Sequence, residues 1–189
     1  MSLLLTASQT VGPFIAISVE PVRIEDVAPA GVAGERVTLR GRVLDGEGKP
    51  VTDALIETWQ ANSHGKYAHP EDVQEKLLED NFKGLGRVLT NADGAFQITT
   101  IKPGRVPGPG GVPQAPHLVA VIFMRGLLKH LVTRVYFPGD PANTDDPVLK
   151  VVPAGRRGTL IAKTVATEPG VLEWNVNLQG NHETVFFDY

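Results

Sequence analysis

The sequence predicts a mainly β protein: an antiparallel β-sandwich with an irregular N-terminal arm and one or two short helices. Three observations carry the prediction. Segments that alternate apolar and polar residues recur from Glu35 onward, as strands with one buried face require. Turn residues separate them at short spacing, drawn from 20 glycines and 15 prolines in 189 residues. Helical periodicity is weak throughout.

Residues 1–34 carry little periodic signal. "SQTVGPF" contains Gly12-Pro13, which fixes an extended or turning backbone. "PVRIEDVAPAGVAGE" reads as loop, so 1–34 is expected to be an arm and 35–189 the sandwich domain. "ERVTLRGRVLDGEGKPV" sets Val37, Leu39, Gly41 and Val43 against Thr38, Arg40 and Arg42, then enters a turn with two glycines. "DALIETWQA" places Leu55, Glu57 and Trp59 on one face and Ile56 and Thr58 on the other. "GRVLTNADGAFQITTIKPG" reads as strand, Asp-Gly hairpin turn, strand and Pro-Gly stop. "HLVAVIFM" is apolar without alternation and suits a strand buried on both faces. "HLVTRVYF" and "VLEWNVNL" alternate, and "ETVFF" closes the chain. "HPEDVQEKLLED" and "DDPVLKVV" each suit one or two helical turns, with proline and acids near their starts.

Composition narrows the function. The charges, 18 basic against 21 acidic, give a formal net of -3 and no basic surface for nucleic acid or membrane. With no cysteine there is neither disulfide nor thiolate chemistry. The N-terminus lacks the positive region of a signal peptide, and no run approaches the ~18 apolar residues of a membrane span. A cytoplasmic location is the expectation. Phosphate loop, nucleotide fingerprint, serine elbow and zinc spacing are all missing, and "GPGG" at 108–111 opens no helix.

Three places carry candidate chemistry. Residues i and i+2 of a strand share a face, so two histidine ligands on one strand need His-x-His. Here His117 is followed two residues on by Val119. That half pair fits a damaged metal site, a site completed by another chain, or a strand-end histidine bonded to backbone. The loop "WQANSHGKYAHPED" crowds His64, Tyr67 and His69; a phenolate is a hard donor suited to ferric iron, while a polar surface loop has the same composition. Arg134 lies on a strand face with Val132 and Tyr136. Such an arginine is paired with an acid, reaches to solvent, or awaits an anion, for which its forked donors suit a carboxylate.

In their order and spacing, "SQTVGPF", "GRVLDGEGKPV", "IETWQANSHGKY", "TIKPG", "APH", "HLVTRVYF", "PVL", "RRGTLIAK" and "ETVFFDY" resemble the intradiol ring-cleavage dioxygenases. The resemblance covers nearly the whole chain and is least clear across 17–34 and 68–83. It implies a prealbumin-like sandwich and a non-haem ferric site held by two tyrosines and two histidines. Tyr67 stands at the first tyrosine position, but Val106 at the second. The family's Arg-x-x-His-x-His becomes Gln114 to Val119, keeping His117 and losing both the second histidine and the arginine. The resemblance therefore implies a chain that binds no iron and has no catalytic residue of its own. It is similar to the alpha type of chain, which pairs with a beta chain that binds Fe(III) and shares a pocket with it. There O2 would cleave protocatechuate to 3-carboxy-cis,cis-muconate. The positions that match substrate-region residues are Arg134, Thr10, Gly12 and Pro13; Gly12 permits close backbone approach and Pro13 stiffens it. Two other readings stand beside this one. A non-catalytic β-sandwich binding or scaffold module, similar to transthyretin-like domains, would share the core strands. A self-sufficient metalloprotein would need His64, Tyr67, His69 and His117 to converge.

Overall fold

The computed structural model describes residues 5–188. Among them are nine strands: β1 (Arg36–Leu44), β2 (Leu55–Trp59), β3 (Leu85–Leu89), β4 (Ala95–Ile101), β5 (His117–Phe123), β6 (Leu131–Tyr136), β7 (Lys163–Thr164), β8 (Val171–Glu173) and β9 (Val176–Asn177). Two short helices, α1 (Phe14–Val19) and α2 (Pro147–Val151), complete the regular structure apart from 3-10 turns. The strands form two sheets: β4-β1-β8-β7, with β9 also on β1, and β3-β2-β5-β6.

The alternation seen in the sequence builds the core between the sheets. Val37, Leu39 and Val43 of β1 and Phe96 and Ile98 of β4 face Ile56, Val88, Leu118, Ala120, Ile122 and Val135 of the second sheet. Each such side chain contributes about 1.5–3 kcal/mol when taken fully from water. Trp174 closes one end, edge-on to Phe96 with centroids 6.3 Å apart and its indole N–H donating to the Thr159 carbonyl. Gly41 is dictated by that tryptophan: a Cβ there would lie 1.7 Å from the Trp174 carbonyl oxygen.

The mainly β sandwich is as expected, with instructive departures. β8 and β9 run parallel to β1, whereas the other pairings are antiparallel. The single strand expected over "VLEWNVNL" is two, broken where the Asn175 side chain accepts from the Arg42 amide in place of a backbone carbonyl. The Asp-Gly turn forms, with Gly94 at φ 66° and its amide on the Asn91 carbonyl. It does not make a hairpin, because β3 and β4 belong to different sheets and the turn carries the chain across the sandwich. β5 buries Leu118, Ala120 and Ile122 fully but leaves Val119, Val121 and Phe123 half-buried, so its second face is roofed only in part.

The N-terminal segment is more structured than its composition suggests. Phe14–Val19 is helical, Ile24 and Asp26 bridge to Arg87 and Thr99, and Val27, Ala28 and Val32 are in the core. The expected helix after His69 is replaced by a loop whose polar groups are taken by side chains. Asn62 donates to the Leu77 carbonyl at 2.7 Å, and Asp72 accepts from the Tyr67 and Gln74 amides. "DDPVLKVV" does become α2, with Pro147 at its first position and Asp146 as N-cap. No helix among the described residues is long and apolar enough to cross a membrane.

The sheets are tied at one end by Lys102, just beyond β4, and Asp140, four residues beyond β6, at 2.7 Å. Burial pushes the Asp140 carboxyl up, but the Lys102 hydrogen bond, the Ala142 amide and the charges of Lys102 and Arg105 outweigh it and hold the group below its usual range. A depressed acid stabilises the fold above its unfolded value and loses that contribution as pH falls through the folded one. In urea titrations, native protein should therefore exceed Asp140→Asn in stability by a constant margin above about pH 4–5, and the margin should vanish in stronger acid. A margin that grows as pH falls would contradict this account.

Candidate functional site

β5 and β6 pair in the register His117↔Tyr136 and Val119↔Arg134, which puts these four residues on one outer face of the second sheet. β2 adds Trp59, opposite Val119 on the other side. Loops 60–84 and 102–116 and the segment 142–161 roof this face. Ala115, Tyr136, Leu149, Val152 and Leu160 form a second, smaller apolar core there.

The roof is held by one carboxylate. Asp146 is fully buried and accepts four hydrogen bonds: from the Ala115 amide at 2.7 Å, the Tyr136 hydroxyl at 3.1 Å, and the Val148 and Leu149 amides at 2.9 and 2.8 Å. It thereby caps α2, anchors the strand entry at Ala115, and fixes the phenol of Tyr136. His117 Nδ1 donates to the Ala115 carbonyl at 2.8 Å, and the ring lies 5.6 Å from that of Tyr136. Burial first, then the charge of Arg134, lowers the His117 pKa to about 4, so the ring is neutral at ordinary pH.

Tyr67 reaches the same region from the loop beyond β2. Its ring stacks on Trp59 at 6.0 Å with an interplanar angle of 9°, and Asp72 holds its backbone amide. Burial pushes the Tyr67 phenol up; Arg134 opposes this and Asp72 adds to it. Tyr67 is thus a protonated phenol. Val106 is buried and forms a bridge with Gln114, whose amide donates to the Val106 carbonyl at 2.8 Å. Gln114 Nε2 donates to the Pro107 carbonyl at 2.8 Å, while its Oε1 accepts from Arg134 at 2.5 Å. Arg134 is 9% exposed and also lies 3.4 Å from the Tyr136 hydroxyl.

The structure therefore brings Tyr67, Val106, Gln114, His117, Val119 and Arg134 into one neighbourhood. His64 does not join it, whereas His69 lines a cavity with Trp59, Tyr67 and Pro107 at its edge. Both are exposed, and His69 accepts from the Glu71 amide at 3.2 Å. Among the described residues no group of three or more His, Cys, Asp or Glu side chains is placed to hold a metal, which removes the geometric basis for a site using His64, His69 and His117. Nor does the outer-face cluster fit ferric iron. Val106 and Val119 are aliphatic and offer no lone pair, which leaves one phenol and one imidazole, and a guanidinium shares the space.

Thr10, Gly12 and Pro13 lie elsewhere, on the exposed N-terminal segment. Thr10 Oγ1 accepts from the Gly126 amide at 2.8 Å in the β5–β6 turn, at the far end of the strand pair from His117. A Cβ at Gly12 would meet no atom of this chain within 4 Å. Sequence reasoning missed Asp146. Its place before Pro-Val-Leu signalled a helix cap, but not that the same carboxylate reaches Ala115 and Tyr136.

The two-sheet β-sandwich has the architecture of a dioxygenase domain. Residues 16–180 match the family described as Dioxygenase, and the chain belongs to that family. It is 40% identical over 197 residues to the protocatechuate 3,4-dioxygenase alpha chain of Burkholderia cepacia, covering 97% of this chain and 96% of the relative. The beta chain from the same organism is 40% identical over 159 residues, or 80% of this chain and 67% of that one. Among solved structures, the dioxygenase domain of a carbohydrate-binding fusion protein from Streptomyces sp. SirexAA-E superimposes with a TM-score of 0.64 at 26% identity, covering 86% of this chain and 89% of that one.

Asp146→Ala would leave three amides and a phenol without their acceptor. Each orphaned buried donor costs about 1–3 kcal/mol, so the loss should be at least about 3 kcal/mol, with Asp146→Asn falling between the two. Chemical denaturation monitored by tryptophan fluorescence checks this, and a loss under about 1 kcal/mol would contradict it.

Proposed function

We propose that this chain is the iron-free alpha subunit of a protocatechuate 3,4-dioxygenase, acting beside an iron-bearing beta chain. One observation carries the reading. The chain matches an alpha chain nearly end to end, yet valines stand at two of the four donor positions of its own cluster. A protein that has lost half of its donors and kept the whole domain contributes by assembly rather than by its own metal.

In the assembled enzyme protocatechuate and O2 become 3-carboxy-cis,cis-muconate, the ring opening between its two hydroxylated carbons. The beta chain's Fe(III) supplies the redox chemistry. This chain supplies shape and charge at the subunit boundary. Residues 1–34 form that boundary in this reading, supported by the exposure of Phe14 (76%) and Ile17 (67%), apolar groups that a partner would cover. Thr10, Gly12 and Pro13 line the pocket mouth, supported by their exposure and by the hydrogen bonds that pin Thr10 to the β5–β6 turn. Arg134 is buried and bonded to Gln114, which favours action on the substrate carboxylate through its field over direct contact. A cytoplasmic location agrees with the absence of cysteine.

The chain expressed alone should be colourless and inactive, and co-expression with the beta chain should give a coloured complex with turnover. An active, coloured homomer would sink the proposal. Gly12→Val should leave the isolated chain's stability within about 0.5 kcal/mol, since no atom of this chain crowds it, but should raise the complex's KM for protocatechuate. In the same complex Arg134→Met should lower the preference for protocatechuate over catechol. Unchanged KM in the first variant and unchanged preference in the second would favour a scaffold role.

A further inference from the structure

We propose that Val11 is a positioning residue: seated beside the β5–β6 turn, it fixes where Gly12 and Pro13 stand. It rests on the subunit role proposed above, in which those two residues line the mouth of a partner's pocket.

From residue 5 to residue 14 the chain is exposed at every position but one. That one is Val11, half-buried at the wall of a cavity whose apolar side is made by Phe123, Met124, Leu127, Val132 and Phe187. The neighbouring Thr10 hydroxyl grips the same turn, accepting from the Gly126 amide at 2.8 Å and donating to the Met124 carbonyl at 3.4 Å. Gly126 has φ 90°, a left-handed turn conformation that glycine takes without strain. Both bonds are exposed, so water competes for them and alone they hold the arm weakly. The contact of Val11 with its apolar walls is driven by water rather than weakened by it.

The next fixed point is α1. The Ile15 amide donates to the Gly12 carbonyl at 3.1 Å where that helix opens, and Val19 is buried at its end. Gly12 and Pro13 therefore bridge two anchors, one at residues 10–11 and one in α1. Consecutive Cα atoms stand about 3.8 Å apart, so a two-residue bridge with both ends held has little room to wander. Release of the first anchor would leave residues 5–13 tethered at α1 alone. The run Thr-Val-Gly-Pro thus divides its labour: a hydroxyl and an isopropyl group hold, and a glycine and a proline are presented. The cavity, about 490 Å³, is not filled by the valine, so position 11 has room for a longer apolar side chain.

Two measurements test the anchor. Hydrogen exchange at the Gly126 amide reports the seating of the arm in the isolated full-length chain, and steady-state kinetics of the co-expressed complex report what that seating does. Val11→Ala should speed exchange at Gly126 at least ~5-fold, whereas Val11→Leu should not, because it remakes the contact. In the complex Val11→Ala should raise KM for protocatechuate at least ~3-fold with kcat within ~2-fold of native, and Val11→Leu should return KM to the native value. Circular dichroism should match the native chain in both variants, since the sandwich core does not include residue 11. Exchange at Gly126 that Val11→Ala leaves unchanged would overturn the inference, and so would a native KM in the Val11→Ala complex. An inactive complex of native chains would overturn the subunit role itself; Gly126 exchange, read without a partner, separates that failure from a failure of the anchor.

Discussion

The outer face of the second sheet depends on one buried carboxylate. Asp146 gathers the start of α2, the entry to β5 and the end of β6 by four hydrogen bonds, with no water-exposed edge. Its position fixes Tyr136, Tyr136 contacts both His117 and Arg134, and Arg134 holds Gln114. The central charges, one carboxylate and one guanidinium, are linked through a phenol rather than paired directly. Asp146 takes four neutral donors, which softens the desolvation cost that a lone buried ion would bear.

Burial and charge set the protonation of the two polar rings on this face. Burial of the Tyr67 phenol beside Trp59 raises its pKa above the ordinary value. His117 stays neutral, with its Nδ1 proton held by the Ala115 carbonyl, which leaves the lone pair on Nε2.

Much of this was legible in the sequence where the signal is local. Alternation in Arg36–Leu44, Leu55–Trp59 and Leu131–Tyr136 reports one buried face, and it placed those strands and the shared side of Arg134 and Tyr136. The spacing from His117 to Val119 put both on one face for the same reason, and the strand-end histidine bonded to backbone is what the structure shows. Non-local choices left no such mark. The Asn-Ala-Asp-Gly turn has the same chemistry whether it closes a hairpin or crosses between sheets, so only packing against Pro50 and Val43 decides. The loop after His69 has helix-compatible composition, but Asn62 and Asp72 capture its backbone groups from outside. Val27 and Ala28 read as loop because their burial depends on bridges to residues 87 and 99, more than sixty positions away.

The parallel seating of β8 and β9 on β1 has a consequence for biosynthesis. The strand at 36–44 leaves the ribosome well before two of its hydrogen-bonding partners, at 171–177. Until residues 171–177 are made, that strand offers an open edge in the crowded cell, and loop closure over more than 120 residues then sets a slow step. Nascent chains should therefore lean on holdase chaperones late in synthesis, and a ribosome stalled before codon 171 would display a sticky, half-zipped sheet.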